Sequence, residues 1–298
     1  MRFLNKHIAS PGMTKKILEE NKLRLSKKLG QNFLIDRNII DIIVDAADIK
    51  IDDTVIEIGP GIGSLTEGIL EKIPKGRLIA IEKDSRLISI LEKLFTDDKL
   101  EVINMDVLDI DWQSFMNERG ITGNNIKLMA NLPYYITTPI IMNLLEARVP
   151  IESFVFMVQK EVAERMAASP GGKEYGSLSI AVQYYTEAEI IHHLSSNVFI
   201  PRPAVDSTII KLHRRNELSV LVDNEEFFFQ IVRAAFQQRR KNIKNALSNA
   251  ANINIEKNLI IDSLEEMAIS PQIRGEKLSI KEFADLSNKI YRKIYNDK

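Results

Sequence analysis

From Thr54 onward, short apolar runs alternate with segments of helical period, and that alternation constrains the fold more than any other feature of the chain. Candidate strands are Thr54 to Ile58, Arg77 to Ile81, Leu100 to Asn104, Ile126 to Ala130, Ser153 to Val158, Leu178 to Tyr185 and Asp206 to Leu212. Helical patterns fall between them at Leu65 to Ile73, Ser85 to Phe95, Pro139 to Ala147 and Lys160 to Ala168. Strands that alternate with helices build βαβ units, because parallel neighbours need a long crossover. The pattern predicts an α/β fold with a mostly parallel seven-stranded sheet and helices on both faces. Only a loop through Pro201 and Pro203 joins the last two candidate strands, so that closing pair is expected to be antiparallel.

Both ends differ from this middle. Residues 1–24 read as a polar, basic extension with a helix near Thr14 to Arg24, and Asp36 is placed to cap a helix running through Ala47. After about Arg215 strand signals stop, and residues 224–250, 255–267 and 279–295 read as helices. The expected organisation is an extension over 1–24, an α/β domain over 25–213 and a small all-helical domain over 214–298.

Within the α/β part, Val55-Ile56-Glu57-Ile58-Gly59-Pro60-Gly61-Ile62-Gly63-Ser64 is a strand, a glycine turn and a helix start. Glycine lets the backbone approach a ligand with no Cβ in the way, and the helix behind it offers N–H groups. The same sequence also suits a tight βα turn with no ligand. Two acids favour the ligand: Glu82 ends the second strand, where a carboxylate accepts ribose hydroxyls, and Asp106-Val107 follows the third, placed for an adenine amino group and ring. Ser64 stands where a dinucleotide fingerprint needs Gly or Ala, and no Gly-Lys-Ser/Thr follows, which excludes an ATP-phosphate loop.

About 70 residues beyond the glycine turn, the apolar run Ile126 to Ala130 ends in Asn131-Leu132-Pro133-Tyr134. An amide, an imino acid and an aromatic ring at a strand end supply acceptors, a rigid backbone and a π face, the groups that grip an adenine. These residues also suit a simple turn. Phe199, before the prolines, is either a second ring for a base or a core residue.

The chain has 298 residues, 45% hydrophobic and 27% charged, enough for a full core and a second small domain. It contains no cysteine, and its four histidines lack metal-ligand spacing, so disulfides, thiolate sites and a metal centre are not expected. No apolar h-region opens the sequence and no run reaches membrane-spanning length, which predicts a cytoplasmic protein away from membranes. Net charge is −1, so only its distribution is informative: residues 1–30 hold eight Lys or Arg against Glu19 and Glu20, and Arg239, Arg240 and Lys241 lie in an acid-free stretch. Such runs are either solvated faces or phosphate contacts.

The glycine loop, Glu82, Asp106 and Asn131-Leu132-Pro133-Tyr134, in this order, resemble class I S-adenosylmethionine-dependent methyltransferases that act on exocyclic amines. More closely, the chain resembles the ribosomal RNA adenine N6,N6-dimethyltransferases, the kasugamycin-sensitivity family. Gly30-Gln31-Asn32-Phe33-Leu34 is similar to that family's amino-terminal cofactor motif, Phe199-Ile200-Pro201-Arg202-Pro203-Ala204-Val205-Asp206-Ser207 to its target-base loop, and Ala234 to Lys241 to the start of its helical domain. The resemblance covers about residues 25 to 280. It implies S-adenosylmethionine as cofactor, held by Asn32, Leu34, Gly59, Gly61, Gly63, Glu82, Asp106, Val107 and Asn131. It also implies target-adenine handling by Asn131, Leu132, Pro133, Tyr134 and Phe199, and RNA contacts from Lys27, Lys28, Arg202, Arg239, Arg240 and Lys241.

The implied reaction places two methyl groups on N6 of each of two adjacent adenines near the 3′ end of small-subunit (16S) ribosomal RNA, with the small subunit as partner and a monomer as the expected state. An antibiotic-resistance methyltransferase acting on large-subunit RNA is the near alternative, although those relatives usually read Asn-Ile-Pro-Tyr and Val-Asn-Ser where this chain has Leu132 and Asp206. A non-catalytic ribosome-assembly factor is the distant one, and intact Glu82, Asp106 and Asn131 argue against it.

Overall fold

A computed structural model describes residues 7–23, 30–123, 125–251 and 253–295. In chain order the elements are α1 (Pro11–Glu20), β1 (Phe33–Leu34), α2 (Arg37–Ala46), β2 (Thr54–Ile58), α3 (Ser64–Lys72), β3 (Arg77–Glu82), α4 (Ser85–Leu94), β4 (Leu100–Asn104), α5 (Trp112–Glu118), β5 (Ile126–Asn131), α6 (Thr137–Glu146), β6 (Ser153–Gln159) and α7 (Lys160–Ala167). There follow α8 (Ser177–Tyr185), β7 (Thr186–Leu194), β8 (Phe199–Ile200), β9 (Ser207–Arg214), α9 (Glu225–Gln237), α10 (Ile243–Ser248), α11 (Lys257–Glu266) and α12 (Ile280–Tyr295). The chain divides into two units, Met1–Ala163 with Ala188–Arg214, and Glu164–Glu187 with Arg215–Lys298.

The first unit is built on a seven-stranded sheet of order β4-β3-β2-β5-β6-β9-β7. Strands β4, β3, β2, β5 and β6 run parallel to one another, and β9 runs antiparallel to β6. Burial follows position: β2, β5 and β6, inside the sheet, are buried almost throughout, whereas the edge strand β4 is half-exposed. The chain winds outward from β2 through β3 to β4 and returns to β5 on the other side of β2. That reversal opens a crevice at the carboxyl ends of β2, β3 and β5, where open α/β sheets bind ligands.

Several expectations change. The run Leu178 to Tyr185 is not a strand but helix α8, part of the second unit. Nearly every one of its side chains is buried, so neither a period of 2 nor of 3.6 shows, and the run alone does not distinguish the two states. The antiparallel partner of β9 is therefore β6, with β7 on the other side of β9. The helix expected near Thr14 starts earlier, at Pro11, because Ser10 caps it by accepting from the Met13 N–H; Arg24 lies outside the described residues.

Residues 7–23 are also no loose lead-in. Met13, Ile17 and Ile8 are buried with Phe33, Ile62, Leu87 and Ile90 in one apolar cluster. Asp36 caps α2 through the Asn38 N–H at 2.9 Å, and Ile39, Ile40, Ile43 and Val44 form its buried face.

In the second unit the helix expected over 224–250 breaks at Gln238, and Asn242 caps a new helix by accepting from the Asn245 N–H. Tyr184 and Tyr185 of α8 both donate to Glu225 at the start of α9, at 3.1 and 2.6 Å. Arg239, Arg240 and Lys241 consequently sit in a turn, not on a helix face.

Candidate functional site

The crevice in the first unit is a cavity lined by Gly30 to Leu34, by Glu57 to Gly61 with Ser64 and Leu65, by Asn131 to Pro133 with Tyr135 and Ile136, and by Glu82, Lys83, Met105, Asp106 and Val107. Its floor is the end of β2 and the glycine turn. Gly61 takes φ +62°, and a Cβ there would lie 2.9 Å from the Phe33 ring, so glycine is required both by the backbone and by that contact. The Gly61 N–H donates to Glu82 Oε2 at 3.2 Å, and the Asp84 N–H donates to Oε1 at 2.8 Å. With one backbone donor on each oxygen, the Glu82 carboxyl is fixed at the end of β3. Burial holds its pKa above the usual carboxylate range, against the pull of those N–H groups.

Beside it, Glu57 is 1% exposed on β2, and its Oε2 accepts the Thr66 hydroxyl at 2.7 Å. Burial pushes this carboxyl up to about 8. A second buried acid thus lines the cavity beside Glu82, and it carries its proton at neutral pH.

The segment 30–34 is tied to this floor from above. The Ser64 hydroxyl, at the start of α3, donates to the Leu34 carbonyl at 3.1 Å. The Asn131 Nδ2 donates to the Asn32 carbonyl at 2.9 Å. A carbonyl can only accept, so the amide nitrogen of Asn131 must face Asn32 and its Oδ1 is turned away. No described residue donates to Asn131 Oδ1 or to the Leu132 carbonyl, and both residues line the cavity.

The rim is different in kind. Asp106 accepts from the Leu108 N–H at 3.1 Å and pairs with the Lys83 ammonium. Desolvation raises its pKa, but the Lys83 ammonium and the Leu108 N–H outweigh it and hold the carboxyl below the usual range. Val107 is buried beside it, and Met105 and the 57% exposed Tyr135 complete the opening.

Asn32, Leu34, Gly59, Gly61, Glu82, Asp106, Val107, Asn131, Leu132 and Pro133 are thus brought to one cavity. Gly63, Tyr134 and Phe199 are not on its wall. Gly63 caps α3 at φ +92°, and a Cβ there would meet the Phe95 ring, so its requirement is local packing. Phe199 is 3% exposed in the sheet's core cluster, its backbone paired with Leu34, and has no free face for a base. Tyr134 is half-buried with its hydroxyl 2.6 Å from Ser207 Oγ.

Of the basic residues, Lys27 and Lys28 lie outside the described residues. Arg202 is exposed in the loop after β8. Arg239 donates to the carbonyls of Lys173 and Tyr175 at 2.7 and 2.9 Å, which commits its guanidinium to holding the second unit's own turn. The side chains of Arg240 and Lys241 are exposed.

Glu57, Phe33, Ser64, Lys83 and Tyr135 are cavity residues that the sequence reading did not assign to the site. An acid inside the apolar strand Val55-Ile56-Glu57-Ile58 is itself a signal, since a buried carboxyl needs partners. Lys83 and Tyr135 carry no such signal.

A model of the family described as ribosomal RNA adenine dimethylase matches residues 22–291. The chain is 53% identical, over 292 residues, to a ribosomal RNA small subunit methyltransferase A of Halothermothrix orenii, covering 98% of this chain and 96% of that one. It is 50% identical to the protein of that name from Alkaliphilus metalliredigens, covering 95% and 98%. Among solved structures it is similar to a dimethyladenosine transferase from Plasmodium falciparum, with TM-score 0.71 and 28% identity over 85% of this chain and 95% of that one. The 23S rRNA methyltransferase ErmE gives TM-score 0.64 and 25% identity over 87% and 99%.

Proposed function

The chain belongs to the ribosomal RNA adenine dimethylase family and is an S-adenosylmethionine-dependent methyltransferase; from that premise we propose that its cavity holds the cofactor and presents the target adenine of small-subunit ribosomal RNA to it. The product is N6,N6-dimethyladenine at two adjacent adenines near the RNA's 3′ end. The observation that carries this reading is a pair of acceptors to which no described residue donates, Asn131 Oδ1 and Leu132 O, on the same cavity as the fixed Glu82 carboxyl.

The donor set suits the cofactor. Glu82 is placed for the two ribose hydroxyls. Asp106 and Val107 are placed for the adenine amino group and ring, and Gly59, Gly61, Asn32, Leu34 and Asn131 surround the rest. S-adenosylmethionine, when bound, supplies a methyl group on a sulfonium, an electrophile that needs no metal.

What the chain itself must do is make a poor nucleophile competent. The adenine amino lone pair is delocalised into the ring. Two acceptors that take the amino hydrogens favour a pyramidal nitrogen and localise the pair, and Asn131 Oδ1 and Leu132 O are the two. Alignment then dominates the barrier. Once methylated the nitrogen is cationic and acidic, so its proton passes to water without a strong base on the wall. A base stacked in a helix cannot reach this cavity and must be unstacked. Tyr134, its ring anchored through Ser207, is the platform assigned to it, while Phe199 acts from behind by packing the strand that positions segment 30–34.

RNA backbone contacts are assigned to Lys27, Lys28, Arg202, Arg240 and Lys241, with Arg239 shaping the turn that carries the last two. The relatives named for the small subunit are about twice as similar in identity as ErmE, which favours the small-subunit target over the large. The test is to incubate the protein and labelled S-adenosylmethionine with undermethylated small subunits and to map the modified nucleotides. Two adjacent dimethylated adenines near the 3′ end are expected. Label confined to large-subunit RNA, or none, would overturn the reading.

A further inference from the structure

Helix α1 ends at Glu20, before the residue 22 at which the family match begins, yet it buries Met13, Thr14 and Ile17 in the first unit. Its buried side chains, Met13 and Ile17, join Phe33 of the cavity wall, Ile62 of the glycine turn, and Leu87 and Ile90 of α4 in one cluster. Just before the helix, the Ile8 N–H donates to Glu67 Oε2 of α3 at 3.1 Å. The buried Thr14 hydroxyl returns to the Ile8 carbonyl at 3.1 Å and locks that entry turn.

The cluster of α1 reaches α4 through Leu87 and Ile90, and the turn before α1 reaches α3 through Glu67. α3 begins at the glycine turn, and α4 begins just after Glu82 and Asp84. Between them stands Phe33, whose ring occupies the place a Gly61 side chain would need. Gly61 in turn donates to Glu82. The order of contacts is therefore α1, Phe33, Gly61, Glu82, and it ends on the carboxyl assigned to the cofactor's ribose.

We propose that α1 is a positioning element for the cofactor: packed with Phe33 it holds that ring against the glycine turn, and with its entry turn it links α3, which starts at that turn, to α4, so the floor is in binding geometry only while α1 is docked. This rests on the reading that the cavity holds S-adenosylmethionine. Because coupling between two sites is reciprocal, cofactor must hold α1 in place by the factor that α1 adds to cofactor affinity.

Lys15 and Lys16 are exposed on α1 and give trypsin a direct report of its undocking. In the full chain, S-adenosylmethionine should slow cleavage after these lysines, roughly five- to tenfold at saturation. Met13→Ala and Ile17→Ala should each weaken cofactor binding in calorimetry by a similar factor, and Ile17→Val, which keeps most of the apolar contact, should restore it. Cleavage at an unchanged rate with cofactor bound, or variants that lower the melting temperature while binding cofactor like wild type, would make α1 a purely structural cover. If a variant fails to fold, the proteolysis of the wild-type chain still decides. Glu82→Ala is the control for the premise: if it binds cofactor normally, the cavity reading fails and not the coupling.

Discussion

The floor and the rim of the cavity both present carboxyls, and they are held in opposite ways. At the floor, Glu57 and Glu82 are buried, take hydrogen bonds from a hydroxyl and from backbone N–H groups, and have raised pKa values. At the rim, Asp106 is paired with an exposed ammonium, and its pKa is lowered. Backbone donors cannot move away without deforming the glycine turn, whereas the Lys83 side chain can swing into water. The floor is thus preorganised and the rim adjustable, so substitutions at the floor should cost function and those at the rim should tune it.

Asn131 shares the floor's fixity through its bond to Asn32, and its loss should have the largest effect on turnover. Asn131→Ala removes one acceptor and releases segment 30–34, so single-turnover methyl transfer should fall about a hundredfold or more. An unchanged rate would return Asn131 to a turn residue. Next, Asp106→Ala should weaken S-adenosylmethionine binding about ten- to a hundredfold, the worth of one hydrogen bond to a charged group. Calorimetry measures it, and a loss exceeding that of floor variants would reverse the comparison.

Glu57 gives the floor a pH signature. Its folded pKa of about 8 lies above that of an unfolded glutamate, so the native state keeps a proton the unfolded chain has released. That contribution is complete below about pH 4 and is lost as pH rises towards 8. Urea titrations should show wild type losing stability relative to Glu57→Gln across that window, by up to about 1.4 kcal/mol per pH unit. Parallel profiles would contradict the assignment. The smallest effect belongs to Lys83→Met, which frees Asp106 from its partner. The Asp106 carboxyl should titrate at higher pH by NMR, with cofactor affinity barely altered.

Much of this was legible in the sequence because it is written locally. Strands β2, β4 and β5, the Asp36 cap and the glycine turn each follow from residues within a few positions, and ten assigned site residues meet in one cavity. What was missed depends on distant partners. Leu178 to Tyr185 is buried on all sides, which erases the period that separates strand from helix. Phe199 became core because its strand pairs with β1, a contact spanning most of the first unit's length. Arg239, read as a charge in a basic run, also reaches through its Nη2 to two carbonyls more than 60 residues away. Nothing near Met13 or Ile17 announces that they share a buried cluster with Phe33.

The central claim is that the fixed Glu82 carboxyl anchors the cofactor. The direct measurement is calorimetric titration of S-adenosylmethionine into wild type, Glu82→Ala and Glu82→Gln, with circular dichroism to verify the fold. Two hydrogen bonds to a charged acceptor, each about 1.5–3 kcal/mol, predict a loss of at least about a hundredfold in both folded variants. Wild-type affinity in either folded variant would contradict the account.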